Sequence, residues 1–177
     1  MIKVEDNIVG KIEDDDAATL SERMFLYSFV RALKPKVVVE IGTHKGLTAI
    51  YLATALYHNG GDGILHTTDP FHYEQETYIN KFPELKKFIR VHHQRGAELD
   101  VNDVDFLFVD GFHEERHVLE EMNHFMPRLT EKAVVVFHDC GGDNAVVGVN
   151  SAITKLGLQT AFLPTDNKMR IYGKYKP

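Results

Sequence analysis

Short apolar runs alternate with segments of helical spacing along almost the whole chain, and this alternation is what most restricts the fold. The expected strands are Lys36–Ile41, a short apolar run, and then Ile64–Thr68, Phe88–His92, Asp105–Val109 and Lys132–Phe137. Between and around them lie stretches whose apolar residues recur every three or four positions. One is Leu20, Met24, Leu26, Tyr27, Val30 and Leu33, which Thr19-Leu20-Ser21 can cap and Lys34-Pro35-Lys36 stops. Another is His44–Tyr57, with Ala49, Leu52, Ala53 and Leu56 on one face. Glu114–Met126 carries Val118, Met122 and Phe125, and Ala145–Leu156 reads as a further helix. His72–Asn80 and Glu84–Lys87 read as surface helical turns. Runs this short and apolar, separated by helices, predict a doubly wound α/β fold on a mostly parallel sheet. Near the end, Gln159–Leu163 and Met169–Tyr172 flank Asp166-Asn167, the signal of an antiparallel hairpin.

Composition narrows the class. The 177 residues suit one domain, 1–177, with 1–18 as an N-terminal extension whose acids Glu13–Asp16 read as solvated. A net charge of −6 speaks against nucleic acid as a partner. One cysteine, Cys140, allows no intrachain disulfide and no cysteine-based zinc site, and reads as a small apolar packer. No apolar run is long enough to span a bilayer and no signal-peptide core is visible, so a cytoplasmic protein without a membrane partner is expected.

In an open α/β sheet, ligands bind beyond the carboxyl ends of the strands. Here those ends carry Glu40, Asp69, Asp110 and the pair His138-Asp139. The first end reads Glu40-Ile41-Gly42-Thr43-His44-Lys45-Gly46. It lacks one glycine of the dinucleotide fingerprint, and Glu40 would repel a pyrophosphate. A cationic cofactor fits better, such as S-adenosylmethionine with its ammonium and sulfonium. Asp69 follows at about the 20-residue interval of a ribose-binding acid. Each residue alone also fits a structural role: Glu40 as a loop-ordering acid, the glycines as a tight connection, Asp69 as a turn before Pro70.

Taken in order, these residues resemble the class I S-adenosylmethionine-dependent methyltransferases, with a seven-stranded Rossmann-like sheet. The resemblance implies that Glu40, Gly42, Thr43, His44 and Gly46 surround the methionine part, that Asp69 holds the ribose, and that Gly96 and Ala97 lie near the adenine. Asp110 would border the same cofactor.

The second constellation is Asp110-Gly111-Phe112-His113 after one strand and His138-Asp139 after the next. If these strands are neighbours, their ends lie about 5 Å apart and can share one cation. The pattern resembles the metal-dependent O-methyltransferases, in the branch of macrocin-type sugar O-methyltransferases and cephalosporin-hydroxylase-like proteins. It implies Asp110, His138 and Asp139 as ligands of a divalent metal such as Mg²⁺ or Mn²⁺, and His113 as the general base. His138 stands where an acid is frequent, and Phe112 where the branch has a second acid. A bound metal lowers the pKa of a substrate hydroxyl, and a histidine near neutrality accepts the proton. As structural alternatives, Asp110-Gly111 fits a turn and His138-Asp139 a helix cap; His92, His93, His117 and His124 read as structural.

The function expected is methyl transfer to a hydroxyl of a small molecule, of sugar or natural-product type. Kept beside it are a metal-independent methyltransferase, a non-catalytic S-adenosylmethionine- or nucleoside-binding module that regulates a partner and, more weakly, a dehydrogenase. The chain is short for its branch, so an open substrate mouth, or a homodimer that covers it, is expected.

Overall fold

The computed structural model describes residues 18–71, 76–141 and 147–174. The acids Glu13–Asp16, nearly all of the expected extension, the first residues of the His72–Asn80 turns (Tyr73 among them), and Ala145 fall outside these residues.

Helix α1, Leu20–Leu33, starts at a reciprocal cap in which the Glu22 carboxylate accepts from the Thr19 N–H at 2.9 Å. It ends where Lys34 turns left-handed (φ 51°) before Pro35. Strand β1 is Val37–Ile41 and leads through Gly42–Gly46 into helix α2, Leu47–Asn59. The first ten residues of α2, Leu47 to Leu56, are all buried rather than only one stripe. The helix is enclosed between the sheet and α1, so its sequence is apolar on every side.

Strand β2 is Ile64–Thr68, β3 Ile89–His92, β4 Val104–Val109, β5 Leu129–Phe137, β6 Ala161–Leu163 and β7 Met169–Gly173. Helix α3, Glu115–Phe125, joins β4 to β5, and α4, Val147–Lys155, follows β5. The turns expected after Asp69 appear as 3₁₀ pieces, Ile79–Lys81 and Pro83–Phe88. The sheet order is β3-β2-β1-β4-β5-β7-β6, with β7 antiparallel to both β5 and β6 and the rest parallel. This is the expected seven-stranded doubly wound sheet with a terminal hairpin.

Alternate residues of β1 serve opposite faces: Val38 packs with α1 and α2, whereas Val39 and Ile41 pack with α3 and α4. The β4–β5 pairing shifts register between Val104 and Phe106, and Val104 packs on the face opposite to Phe106. Asp105 sits there, and its carboxylate accepts from the Lys36 and Val37 N–H groups (2.8 and 3.2 Å) and the Thr130 hydroxyl (3.0 Å). That bond set pins the start of β1 to β4 and β5. The order in which strands are added to the sheet reverses between the parallel neighbours β1 and β4, which opens the crevice at their carboxyl ends.

Candidate active site

Beyond the last strand residues the parallel ladder continues by single backbone bonds. Gly42 N–H donates to Thr68 O (2.9 Å), Asp110 N–H to Ile41 O (2.9 Å) and His138 N–H to Val109 O (3.0 Å). The strand ends are thereby held in a fixed row, and the residues that follow them inherit its spacing. Gly42 has φ 99°, and a Cβ there would stand 2.0 Å from the Asp110 carbonyl oxygen. Its glycine is therefore required by the approach of two strand ends, in addition to any ligand. Gly46 (φ 81°) closes the turn through its N–H to Thr43 O at 2.8 Å and caps α2, without lining the cavity.

Asp69 orders this loop directly. One carboxylate oxygen accepts from the His44 N–H and the other from the Phe71 N–H, both at 3.0 Å. Behind it runs a buried chain: the Thr43 and Thr67 hydroxyls lie 2.6 Å apart, and Thr67 donates to Glu40 Oε2 at 2.5 Å. Glu40 is fully buried and does not line the cavity, and its Oε1 has no hydrogen-bond partner among the described residues. Burial first, then the Asp110 and Asp69 charges, push its pKa up to about 8 against the Thr67 bond. At neutral pH the carboxyl is mostly protonated, unlike the charged acid expected from the motif.

At the other end of the row, His138 is buried between carboxylates. Its Nε2 bonds Glu22 Oε2 at 3.1 Å, and its Nδ1 lies 2.8 Å from Asp110 Oδ1 and 3.3 Å from Asp139 Oδ2. The Nδ1 contacts are ion pairs, close but not aligned as hydrogen bonds. Burial alone would lower the ring's pKa, but the surrounding carboxylates raise it far above neutrality. His138 is thus an internal cation, with both nitrogens facing acids. Asp139, left-handed at φ 51°, turns Oδ2 to 2.9 Å from His113 Nε2. Its pKa is held low against burial by His113 and His138, and the same contact raises that of His113.

Ligand atoms of Asp110, His113 and Asp139 all lie within 4.8 Å of one another. This trio differs from the expected metal set: His113, read as the base, is in it, and His138 is not. His138 instead bridges Glu22 on one nitrogen and the two aspartates on the other.

These groups surround one cavity of about 390 Å³. Gly42, Thr43, His44, Asp69, Gly96, Asp110, His113, His138 and Asp139 line it, whereas Ala97 does not. Sequence reasoning missed Glu22, Glu121 and Gly148. Glu22 belongs to a Thr-x-x-Glu cap that is visible in the sequence, but its partner lies 116 residues away. Glu121 shares a helix face with Val118 and Phe125, and an acid on an apolar stripe is itself a signal. A Cβ on Gly148 would stand 2.1 Å from the His113 carbonyl oxygen, so this glycine lets α4 seat the His113 loop. Cys140 is buried, and burial pushes its thiol up to about 12, which suits packing and not nucleophilic chemistry. No helix among the described residues is long and apolar enough to cross a membrane.

Residues 39–140, more than half of the chain, match the family described as "Methyltransferase domain". The chain belongs to this methyltransferase family. Among curated proteins it is 25% identical over 140 residues to the uncharacterized protein y4gI of Sinorhizobium fredii (strain NBRC 101917 / NGR234). That match takes in 71% of this methyltransferase-family chain and only 15% of y4gI. Among solved structures it resembles the O-methyltransferase TomG of Streptomyces achromogenes, involved in tomaymycin synthesis and solved with SAM. The TM-score is 0.74 at 20% identity, covering 90% of this chain and 82% of TomG. The O-methyltransferase of Bacillus cereus, in complex with SAH, gives 0.75 at 14% identity, covering 96% and 88%. At such identities the two structures establish the shared fold.

Proposed function

We propose that this chain transfers a methyl group from S-adenosylmethionine to a hydroxyl of a small molecule. The observation that carries the reading is the convergence of Asp110, His113 and Asp139 on one end of a cavity whose other parts are the glycine loop and Asp69. TomG and the Bacillus cereus enzyme, which share the fold, are O-methyltransferases solved with SAM and SAH.

In this reading Asp69 accepts from the ribose hydroxyls, and the Gly42–Lys45 turn lies along the methionine part. His113 takes the proton of the substrate hydroxyl, while Asp139, 2.9 Å from Nε2, orients the ring and stabilises the imidazolium. The freed oxygen attacks the methyl carbon as the carbon–sulfur bond breaks, leaving S-adenosylhomocysteine and the methyl ether. Much of the acceleration comes from holding the two reactants in line.

The donor set also fits a divalent cation: two carboxylates and an imidazole suit Mn²⁺ or a similar ion, and the cluster carries more negative than positive charge. Asp110, His113 and Asp139 would hold it, and it would acidify a bound hydroxyl; His113 would then be a ligand and not the base. His138 favours a second, metal-independent reading, because its fixed positive charge already stands beside Asp110 and Asp139.

The experiment is calorimetric titration with S-adenosylhomocysteine, with and without Mn²⁺, followed by methyl transfer from labelled S-adenosylmethionine to a panel of small hydroxylated compounds. Cofactor binding and transfer to oxygen support the function. Absence of binding under both conditions sinks it. Cofactor binding without transfer to any compound points to a binding module. Mn²⁺ binding that Asp139→Asn removes supports the cation, and its absence in wild type selects the metal-independent reading.

A further inference from the structure

One buried acid in the cavity has no role in the chemistry above. Glu121, on α3, is 4% exposed and lines the cavity, and its Oε2 has no hydrogen-bond partner among the described residues. A carboxyl in that state is costly unless a ligand completes it. Its surroundings define what such a ligand looks like. Ile41 lines the cavity, and its side chain lies against two glycines. A Cβ on Gly96 would meet Ile41 Cγ2 at 2.9 Å, and one on Gly111 would meet it at 3.0 Å. The same position on Gly111 is 3.6 Å from Glu121 Oε1. The two glycines let the Ile41 side chain lie against their backbone beside the carboxyl, an apolar floor that suits a flat ring with hydrogen-bonding atoms on one edge. Arg95 and Phe112 line the cavity beside it.

We propose that the Glu121 carboxyl recognises the amino edge of the cofactor's adenine, donating its O–H to a ring nitrogen and accepting from the exocyclic amino group. This rests on the reading that the cavity takes an S-adenosyl cofactor. It assigns the adenine contact to a helix after β4. The position after Gly96, where the family resemblance expects the adenine, is Ala97, which does not line the cavity. The protonation state agrees with the geometry. Burial, opposed by Arg95 and aided by Glu120, pushes the pKa of Glu121 up to about 8, with His113 opposing more weakly. A neutral carboxyl both donates and accepts, as an adenine edge requires, whereas a carboxylate only accepts.

The test compares wild type, Glu121→Gln and Glu121→Met in calorimetric binding of S-adenosylhomocysteine, of adenosine and of purine riboside, which lacks the amino group. Glu121→Gln keeps a donor and an acceptor and retains affinity within a few-fold. Glu121→Met weakens S-adenosylhomocysteine by about tenfold or more, the scale of a lost buried hydrogen-bonded pair. It also erases the wild-type preference for adenosine over purine riboside. The free Glu121→Met protein melts no lower than wild type, because an unsatisfied buried acid has been replaced by an apolar side chain. Unchanged affinity in Glu121→Met, or a preference for adenosine that survives, overturns the proposal while leaving cofactor binding in place. Failure of wild type to bind S-adenosylhomocysteine overturns this inference and the functional reading together.

Discussion

Glu22 and His138 lie 116 residues apart in sequence and 3.1 Å apart in space, and both are buried. The same Glu22 carboxylate caps α1 through Thr19 and accepts from the Asn167 backbone N–H at 2.9 Å, in the turn between β6 and β7. One side chain thus ties the first described helix, the terminal hairpin and the acidic cluster of the cavity. A separate helix cap and hairpin turn would leave His138 free to swing. Joined through Glu22, they present Nδ1 to Asp110.

Glu22→Gln should therefore destabilise the fold by about 3 kcal/mol at pH 7, the scale of breaking one partner out of a buried ion pair. Burial would raise the Glu22 pKa, but His138 and Thr19 hold it down, to about 2 against an ordinary 4.5. A depressed carboxyl contributes its full stability above pH 4.5 and loses it as pH falls towards 2. Chemical denaturation of both proteins from pH 7 down to 2 checks this. The gap should be widest at neutrality and should close through that window, and a constant gap would show that the pair is not what the substitution removes.

Gly42→Ala should be far more damaging than Gly60→Ala. Both positions have positive φ, 99° and 67°, so both substitutions strain the backbone. Only at Gly42 does a Cβ collide, 2.0 Å from Asp110 O; at Gly60 nothing lies within 4 Å. The expected losses are about 1 kcal/mol at Gly60 and more than about 3 kcal/mol at Gly42, read by urea denaturation. Equal losses would mean that the β1 and β4 ends separate freely, which is incompatible with the fixed row of strand-end bonds.

His113→Gln should lower kcat by about 10²–10⁴-fold, with cofactor affinity nearly unchanged. Asp139 raises the pKa of His113, so the basic form accumulates only above the ordinary 6.5 and kcat should climb with pH through that region. In Asp139→Asn the largest raising contact is gone, and the midpoint of the climb should move down. Profiles of kcat against pH for wild type and Asp139→Asn decide it. Coincident midpoints would remove His113 from the role of base.

The layered fold could be read from sequence because burial writes itself locally. Val37–Ile41 is short and nearly all apolar because it is covered on both faces, and the strand falls within the run Lys36–Ile41. Helix starts were harder. Helical spacing extends back to His44, but the chain spends Gly42–Gly46 crossing the strand ends before Leu47 begins the helix. The acids at the strand ends were legible as a row, since parallel pairing fixes where each strand stops. Their charge states were not. Whether His138 is a ligand or an internal cation depends on Glu22, which nothing near residue 138 announces. That Glu40 is protonated depends on the other acids and on complete burial, which a motif of seven residues cannot convey.

Glu40 supplies the last prediction. Its Oε2 is held by Thr67, its Oε1 has no hydrogen-bond partner among the described residues, and burial pushes its pKa up to about 8. A cofactor bearing an ammonium and a sulfonium beside the strand ends favours the ionised carboxyl, so binding should expel a proton at pH 7. Affinity for S-adenosylmethionine should then rise as pH increases from about 6.5 to 8 and level off above it. Glu40→Gln, which cannot ionise, should flatten that rise. For the free protein the sign is opposite. Between pH 4.5 and 8 the unfolded chain has lost the Glu40 proton while the folded chain keeps it, so this group lowers stability as pH rises across that interval. Glu121 contributes in the same direction, which is why the comparison must be with the variant and not with wild type alone. Calorimetry in buffers of differing ionisation enthalpy measures the released proton directly. If Glu40→Gln releases the same fraction of a proton as wild type, Glu40 is not coupled to the cofactor, and its burial serves only to order the Thr43–Thr67 chain beneath the loop.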